Sequence, residues 1–248
     1  MNAQLRVFSV TMVSALLLGS FSFGFAADAQ RVVKDSTFQG ELSSLRKKIV
    51  AVCAQFQAGK PAVSQEELLD DIDSIIAGWK AMTETYKANP PVEYAKDPSW
   101  QGYFPEALDN FEIMRARTEQ QNYKRAMQFC GMNCGVFVTL NQVNGVDKAS
   151  DKMFMVRKNA KTMMDMIKAG NWKGAVHVQE HNTEMIKAMM ASTAPDGADK
   201  AVFEQDMKSI KAAYDAFIGA VGTKDGKEAG EKFMAFMKTF GGAYSKYL

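Results

Sequence analysis

Apolar residues recur every three or four positions along almost the whole chain after residue 38. That interval gathers apolar side chains on one face of an α-helix, and the alternation typical of a half-buried strand is nearly absent. The clearest stripes in the first half are Leu42, Leu45, Ile49, Cys53 and Phe56, and then Tyr123, Met127, Cys130, Cys134 and Phe137. The sequence therefore predicts an all-α protein.

The order of helical segments occurs twice, and short residue patterns recur with it. The matching patterns are Arg46-Lys47 with Arg157-Lys158, Ala58-Gly59 with Ala169-Gly170, and Cys134-Gly135 with Phe240-Gly241. Two copies indicate a duplicated unit and not a repeat array. Each copy has four helices joined by short connections, which is typical of an up-down-up-down bundle. We therefore predict two tandem antiparallel four-helix bundles, over residues 30–142 and 143–248.

Local signals mark where some of the helices begin. Ser64 and Glu67 match a capping box in front of the second helix. The prolines between residues 88 and 98 exclude a continuing helix there. Pro105 is of the residue type that favours the first turn of a helix. We therefore predict a loop over residues 88–98 and a third helix that begins near Pro105.

The first 29 residues have the features of an export signal. Arg6 precedes an apolar run from Val7 to Phe25, and Ala27-Asp28-Ala29 supplies the small residues that a signal peptidase accepts. An uncleaved membrane anchor is the alternative, because the run is nearly long enough to span a bilayer. We predict a cleavable signal peptide over residues 1–29, a periplasmic or secreted mature protein, and no membrane insertion after cleavage.

The charges of the chain are nearly balanced, with 30 Lys and Arg against 28 Asp and Glu and a net charge of +2. This balance gives no electrostatic basis for binding nucleic acid or an anionic membrane surface. No nucleophile motif, phosphate-binding glycine loop or buried acid pair is recognisable, so we do not expect an enzyme. The predicted partner is a protein or a small ligand that the sequence does not identify.

The segment Cys130-Gly-Met-Asn-Cys134-Gly135 places two cysteines on the last helix of the first unit. In helix order, unit length, predicted export and cysteine position, residues 38–142 resemble cytochrome c-prime, a periplasmic four-helix bundle whose final helix carries a Cys-x-x-Cys-His haem-attachment motif. The resemblance implies haem bound through Cys130 and Cys134, and a role in electron transfer. Here three residues separate the cysteines, and Gly135 stands where the haem-ligating His would be. We therefore interpret the segment as a degenerate haem site.

The cysteines have two further interpretations. One is core packing, with or without a disulfide, because Cys is among the most buried residue types and both motif cysteines lie on the inward stripe. The other is Cu(I) binding, since thiolates and thioethers select this soft ion. Its predicted ligands are Cys53, Cys130, Met132 and Cys134. The second unit has Phe236 and Phe240 at the positions of the motif cysteines, so neither kind of site is repeated there.

Helix lengths decide which cysteines can form a disulfide. The first and fourth helices of such a bundle are antiparallel neighbours, so the end of the first, near Ala58, lies beside the start of the fourth, near Gln121. At about 1.5 Å per residue, Cys130 lies about 5 to 7 Å from the level of Cys53, and Cys134 about 11 to 13 Å. The Cα atoms of a disulfide lie within about 7 Å. If Cys53 forms a disulfide, we therefore expect it to pair with Cys130.

The segment His177-Val-Gln-Glu180-His181 matches the inverted zinc-protease pattern, with two imidazoles on adjacent turns of one helix. On the helical wheel, His181 lies about 80° and His177 about 120° from the centre of the apolar stripe. Both histidines are therefore predicted to face solvent. We interpret them as a surface pair with adventitious metal affinity and not as a catalytic zinc site.

These observations together predict an exported, non-enzymatic binding or interaction protein, related to cytochrome c-prime and carrying a degenerate haem site. In this interpretation no cofactor is bound. A periplasmic Cu(I)-binding protein that uses Cys and Met sulfurs is one alternative. A surviving haem-binding electron-transfer cytochrome is the other.

Overall fold

The computed structural model describes residues 37–57, 59 and 61–248, and the predicted signal peptide lies outside them. The described residues form helices joined by turns and loops, without strands. The helices are α1 (Thr37–Gln57), α2 (Gln65–Tyr86), α3 (Trp100–Glu119), α4 (Tyr123–Val143), α5 (Ala149–Lys168), α6 (Trp172–Met190), α7 (Lys200–Thr223) and α8 (Gly226–Tyr244). The all-α prediction is confirmed.

The eight helices close into two bundles of four. In the first bundle, α1 to α4, each helix packs on the next and α1 also packs on α4. The second bundle, α5 to α8, repeats this ring, with α5 packed on α8. The predicted tandem antiparallel four-helix bundles are therefore present. The bundles are joined by residues 144–148, and α4 also packs against α5.

Polar side chains cap several helix starts, where the first N–H groups have no partner within the helix. The Ser64 hydroxyl accepts a hydrogen bond from the Glu67 N–H at 3.1 Å, as the capping box predicts. Asn171 caps α6 in the same way through the Gly174 N–H at 2.9 Å. These caps fix the loop-to-helix transitions at the starts of α2 and α6.

The prediction that the third helix begins near Pro105 is wrong, because α3 begins five positions earlier, at Trp100. The indole of Trp100 is buried, and its Nε1 donates a hydrogen bond to the Tyr86 carbonyl oxygen at 3.0 Å. Pro105 is the sixth residue of α3, where its missing N–H removes a single hydrogen bond near the helix start. Burial of the aromatic residues in the first turn outweighs that loss.

Aromatic side chains fill the interior of the first bundle. Trp79 is fully buried, its ring centroid lies 5.2 Å from that of Phe104, and its Nε1 donates to the Phe104 carbonyl oxygen at 2.9 Å. Phe137 of α4 lies 5.4 Å from Trp79 on another side. Such offset and tilted pairs are the arrangements that aromatic rings favour. The middle of this bundle is therefore occupied by protein side chains.

The second bundle has an aromatic core at the positions where the first has cysteines. Phe236 and Phe240 are both buried, with ring centroids 5.9 Å apart, and Phe240 stacks on Tyr244 at 5.3 Å. Rings replace sulfur atoms at equivalent positions of the duplicated unit.

Of the helices in the described part of the chain, none is both long and apolar enough to cross a membrane.

Candidate functional site

The first and fourth helices of the first bundle are joined by a disulfide between Cys53 and Cys130, with a Cα to Cα distance of 6.0 Å. The two helices run antiparallel, and the end of α1 lies beside the start of α4, where the rings of Phe56 and Tyr123 stack 5.9 Å apart. This register brings Cys53 level with Cys130 and not with Cys134. The predicted pairing is confirmed.

A third sulfur, from α3, lies against the disulfide. The Met114 Sδ is 3.8 Å from the Cys130 Sγ, and the Met114 side chain is fully buried. Because Cys130 is bonded to Cys53, this is a contact between two sulfur atoms and not a thiol hydrogen bond. Three helices of the first bundle thus deliver sulfur atoms to one place in its core.

The remaining cysteine, Cys134, is a buried free thiol one helical turn beyond Cys130 on α4. Burial raises the pKa of this thiol, and the opposing effects of Arg46 and Arg157 do not cancel that increase. The thiol therefore stays protonated at neutral pH. We call Cys53, Met114 and Cys130 the sulfur cluster.

Next to the sulfur cluster lies a buried ion pair between the two bundles. The Arg46 guanidinium of α1 donates from Nη1 to the Asp151 carboxylate of α5 at 2.6 Å. Arg46 Nη2 also donates to the Tyr244 hydroxyl of α8 at 3.3 Å. The Asn141 Nδ2 of α4 donates to the second Asp151 oxygen at 2.6 Å. We call these four residues the polar junction.

The electrostatics of the polar junction follow from its burial. Burial acts to lower the pKa of Arg46, but Asp151 in particular raises it, and the net pKa lies above the ordinary value. Burial raises the pKa of Tyr244 to about 12, against the opposing effect of Arg46. Arg46 is therefore charged and Tyr244 neutral at neutral pH.

A chain of hydrogen bonds extends the polar junction into the first bundle. The Tyr94 hydroxyl donates to the Asn141 Oδ1 at 2.8 Å. The Gln39 Nε2 donates to the same oxygen at 3.0 Å, and it also contacts the Tyr94 hydroxyl. The loop before α3 is thereby tied to α1 and α4. Burial is the main cause that raises the pKa of Tyr94, so its hydroxyl remains a donor.

Three predicted metal ligands, Met132, His177 and His181, lie away from these clusters. Met132 is 50% exposed, and Gly131 beside it on α4 is also exposed. His177 and His181 both lie on the exposed face of α6, as the helical wheel predicts. The His177 Nδ1 lies 3.7 Å from the Glu180 carboxylate on the same helix. Neither Met132 nor the histidines contact the buried sulfur atoms.

Replacing both His177 and His181 with Gln should change the free energy of unfolding by no more than about 0.5 kcal/mol, because both side chains lie at the surface. Urea unfolding followed by circular dichroism measures this difference. A loss of several kcal/mol would show that the imidazoles take part in the core or hold a structural metal.

The sequence did not identify Met114, Arg46 or Asp151 as members of a site. No sequence pattern separates Met114 from the other methionines of the chain. Arg46 next to Leu45 on an apolar face was a usable signal, since a charged residue there needs a buried partner. Its partner Asp151 is 105 residues away, and the sequence pattern does not identify it.

The described residues contain no group of three or more His, Cys, Asp or Glu side chains arranged to hold a metal ion. The sulfur cluster differs from such a group because methionine supplies one of its atoms. The chain matches no family model, no curated protein and no solved structure.

Proposed function

We propose that the protein is an exported, non-enzymatic binding protein, and that its ligand is a soft metal ion, Cu(I), held by sulfur atoms of the first bundle. The observation that carries the proposal is the convergence of three buried sulfurs, those of Cys53, Met114 and Cys130, from α1, α3 and α4. Thiolate and thioether ligands bind Cu(I) in preference to harder ions. The export signal predicted for residues 1–29 would bring the protein to a compartment where such an ion is handled.

In this proposal the protein shares its ancestry with cytochrome c-prime but does not bind haem. In that family's arrangement a haem would be joined to Cys130 and Cys134, whereas here the Cys130 sulfur is bonded to Cys53. Gly135 has no side chain that could ligate iron. The rings of Trp79 and Phe137 occupy the interior of the bundle. These observations favour copper over haem as the ligand of the first bundle.

The proposal predicts that the reduced mature protein, mixed with Cu(I) without oxygen and passed through a desalting column, retains about one copper ion per chain. Elemental analysis of the eluted protein gives the stoichiometry, and its visible spectrum reports any haem. The matched control is a variant in which Cys53, Cys130 and Cys134 are all replaced by Ala. This variant should retain no copper, since Met114 is then the one residue of the cluster that still has a sulfur atom.

Three results would count against a Cu(I) site in the sulfur cluster. Equal copper retention by the wild-type protein and the triple variant would place the metal outside the sulfur cluster. A Soret band in protein purified from the periplasm would instead favour the haem-binding alternative. Absence of both copper and haem would leave an interaction protein with a macromolecular or small-molecule partner.

A further inference from the structure

The spacing of the sulfur atoms fits a three-coordinate metal site, once the disulfide is open. Metal to thiolate bonds of about 2.3 Å place the sulfurs of a trigonal site about 4.0 Å apart. The Met114 Sδ and the Cys130 Sγ are already 3.8 Å apart. The Cα atoms of Cys53 and Cys130 are separated by 6.0 Å. Rotation of the two cysteine side chains can therefore bring the freed thiols to the same spacing without moving the helices.

We propose that the Cys53–Cys130 disulfide is the closed state of a Cu(I) site, and that its reduction opens a three-sulfur site formed by Cys53, Cys130 and Met114. This inference rests on the proposed copper-binding function and adds to it the ligand set and its control by redox state. In the disulfide form neither cysteine can supply a thiolate, because both sulfurs are bonded to each other. The ability of the protein to bind Cu(I) therefore depends on the supply of reducing equivalents.

The opening step requires a dithiol reductant. One of its thiolates attacks a sulfur of the disulfide to form a mixed disulfide, and its second thiol then releases the protein cysteine. In total the protein disulfide gains two electrons and two protons, and the dithiol becomes a disulfide. Cu(I) then binds with loss of up to two thiol protons and without a change in oxidation state.

The other sulfurs of the first bundle lie outside this ligand set. Cys134 has Arg46, Arg157 and Asp151 as its electrostatic neighbours, so it belongs to the side of α4 that faces the polar junction. Its thiol keeps its proton, because burial raises its pKa. Met132 is half exposed on another face of α4. The two residues therefore serve as internal controls for Met114 and for the paired cysteines.

The test compares oxidised and reduced protein in competition with a chromogenic Cu(I) chelator under anaerobic conditions. The oxidised protein should leave the chelator fully loaded, whereas the reduced protein should withdraw about one equivalent of Cu(I). X-ray absorption at the copper edge should then show about three sulfur neighbours at about 2.3 Å. Circular dichroism of the reduced, copper-free protein verifies that the bundles remain helical.

Variants of single sulfurs separate this ligand set from any other. Met114→Leu keeps the side-chain volume and should weaken Cu(I) binding by about tenfold or more, through loss of one soft ligand. Met132→Leu is the same substitution at the half-exposed position, and Cys134→Ala removes the remaining thiol. Both controls should bind Cu(I) as the wild type does.

The outcomes distinguish this inference from the proposed function. If reduced and oxidised protein bind copper equally, or if Cys134→Ala weakens binding and Met114→Leu does not, the gated three-sulfur site is wrong while copper binding stands. If neither form binds Cu(I), both proposals fail. Loss of helical structure on reduction would also overturn the gated site, because the site requires α1, α3 and α4 to stay packed.

Discussion

Replacing Asp151 with Ala should lower the free energy of unfolding by about 3 to 5 kcal/mol, the usual result of leaving a buried charge without its partner. The side chains of Arg46 and Asp151 are each only 4% exposed. The substitution would also remove the acceptor of the Asn141 amide. Urea unfolding monitored by circular dichroism provides the measurement.

The chain offers a matched control at its surface. Arg115 and Asp73 form an ion pair at the same distance, 2.6 Å, with side chains 36% and 48% exposed. Asp73→Ala should therefore cost less than about 1 kcal/mol. If the two substitutions have similar effects, the Arg46 charge is reached by water after all.

A double variant separates the contribution of the side-chain packing from the free-energy cost of a buried charge that has lost its partner. Replacing Arg46 with Met and Asp151 with Leu removes both charges, so the double variant should be more stable than Asp151→Ala alone. A double variant as unstable as the single one would indicate that packing of these side chains, and not the buried charge, explains the loss.

Removal of the disulfide, by replacing both Cys53 and Cys130 with Ala, should lower the free energy of unfolding by about 4.5 kcal/mol. The bond closes a separation of 77 residues, and the chain-entropy relation for a loop of that length gives this value. The reduced wild-type protein should unfold at nearly the same urea concentration as the double variant. Cys134→Ala, which removes a free thiol, is the control and should cost about 1 kcal/mol.

Two results would contradict the predicted effect of the disulfide on stability. If the reduced and oxidised wild-type proteins have the same unfolding midpoint, the disulfide does not constrain the unfolded chain as the loop argument requires. A midpoint that differs between the reduced wild type and the double variant would point instead to packing changes at the two Ala residues.

The helices and the disulfide pairing could be predicted because both follow from local regularities. The apolar stripe defines each helix face, and a constant rise per residue converts positions in α1 and α4 into heights along the bundle. Counting from the adjoining helix ends was enough to choose Cys130 over Cys134 as the partner of Cys53. The boundary of α3 was missed because Pro105 is a general helix-start signal, whereas burial of Trp100 is a tertiary effect.

The polar junction could not be predicted because it depends on how one bundle sits against the other. Arg46 belongs to α1 and Asp151 to α5, and periodicity within a helix carries no information on pairing between bundles. Met114 was missed as a member of the sulfur cluster for a related reason. Its contact with Cys130 depends on the packing of α3 on α4, which the spacing of residues within one helix does not reveal.

The long sequence separations in the polar junction impose an order on folding as the chain emerges from the ribosome. The first bundle can form once residues up to Val143 are available. Asp151, the partner of Arg46, lies 105 residues later in the sequence and so becomes available only afterwards. Its contact with Tyr244 spans 198 residues and forms only when almost the entire chain is available. Until then Arg46 lacks the partners that α5 and α8 supply, so a truncated product is left with an incomplete junction that a protease or chaperone can recognise.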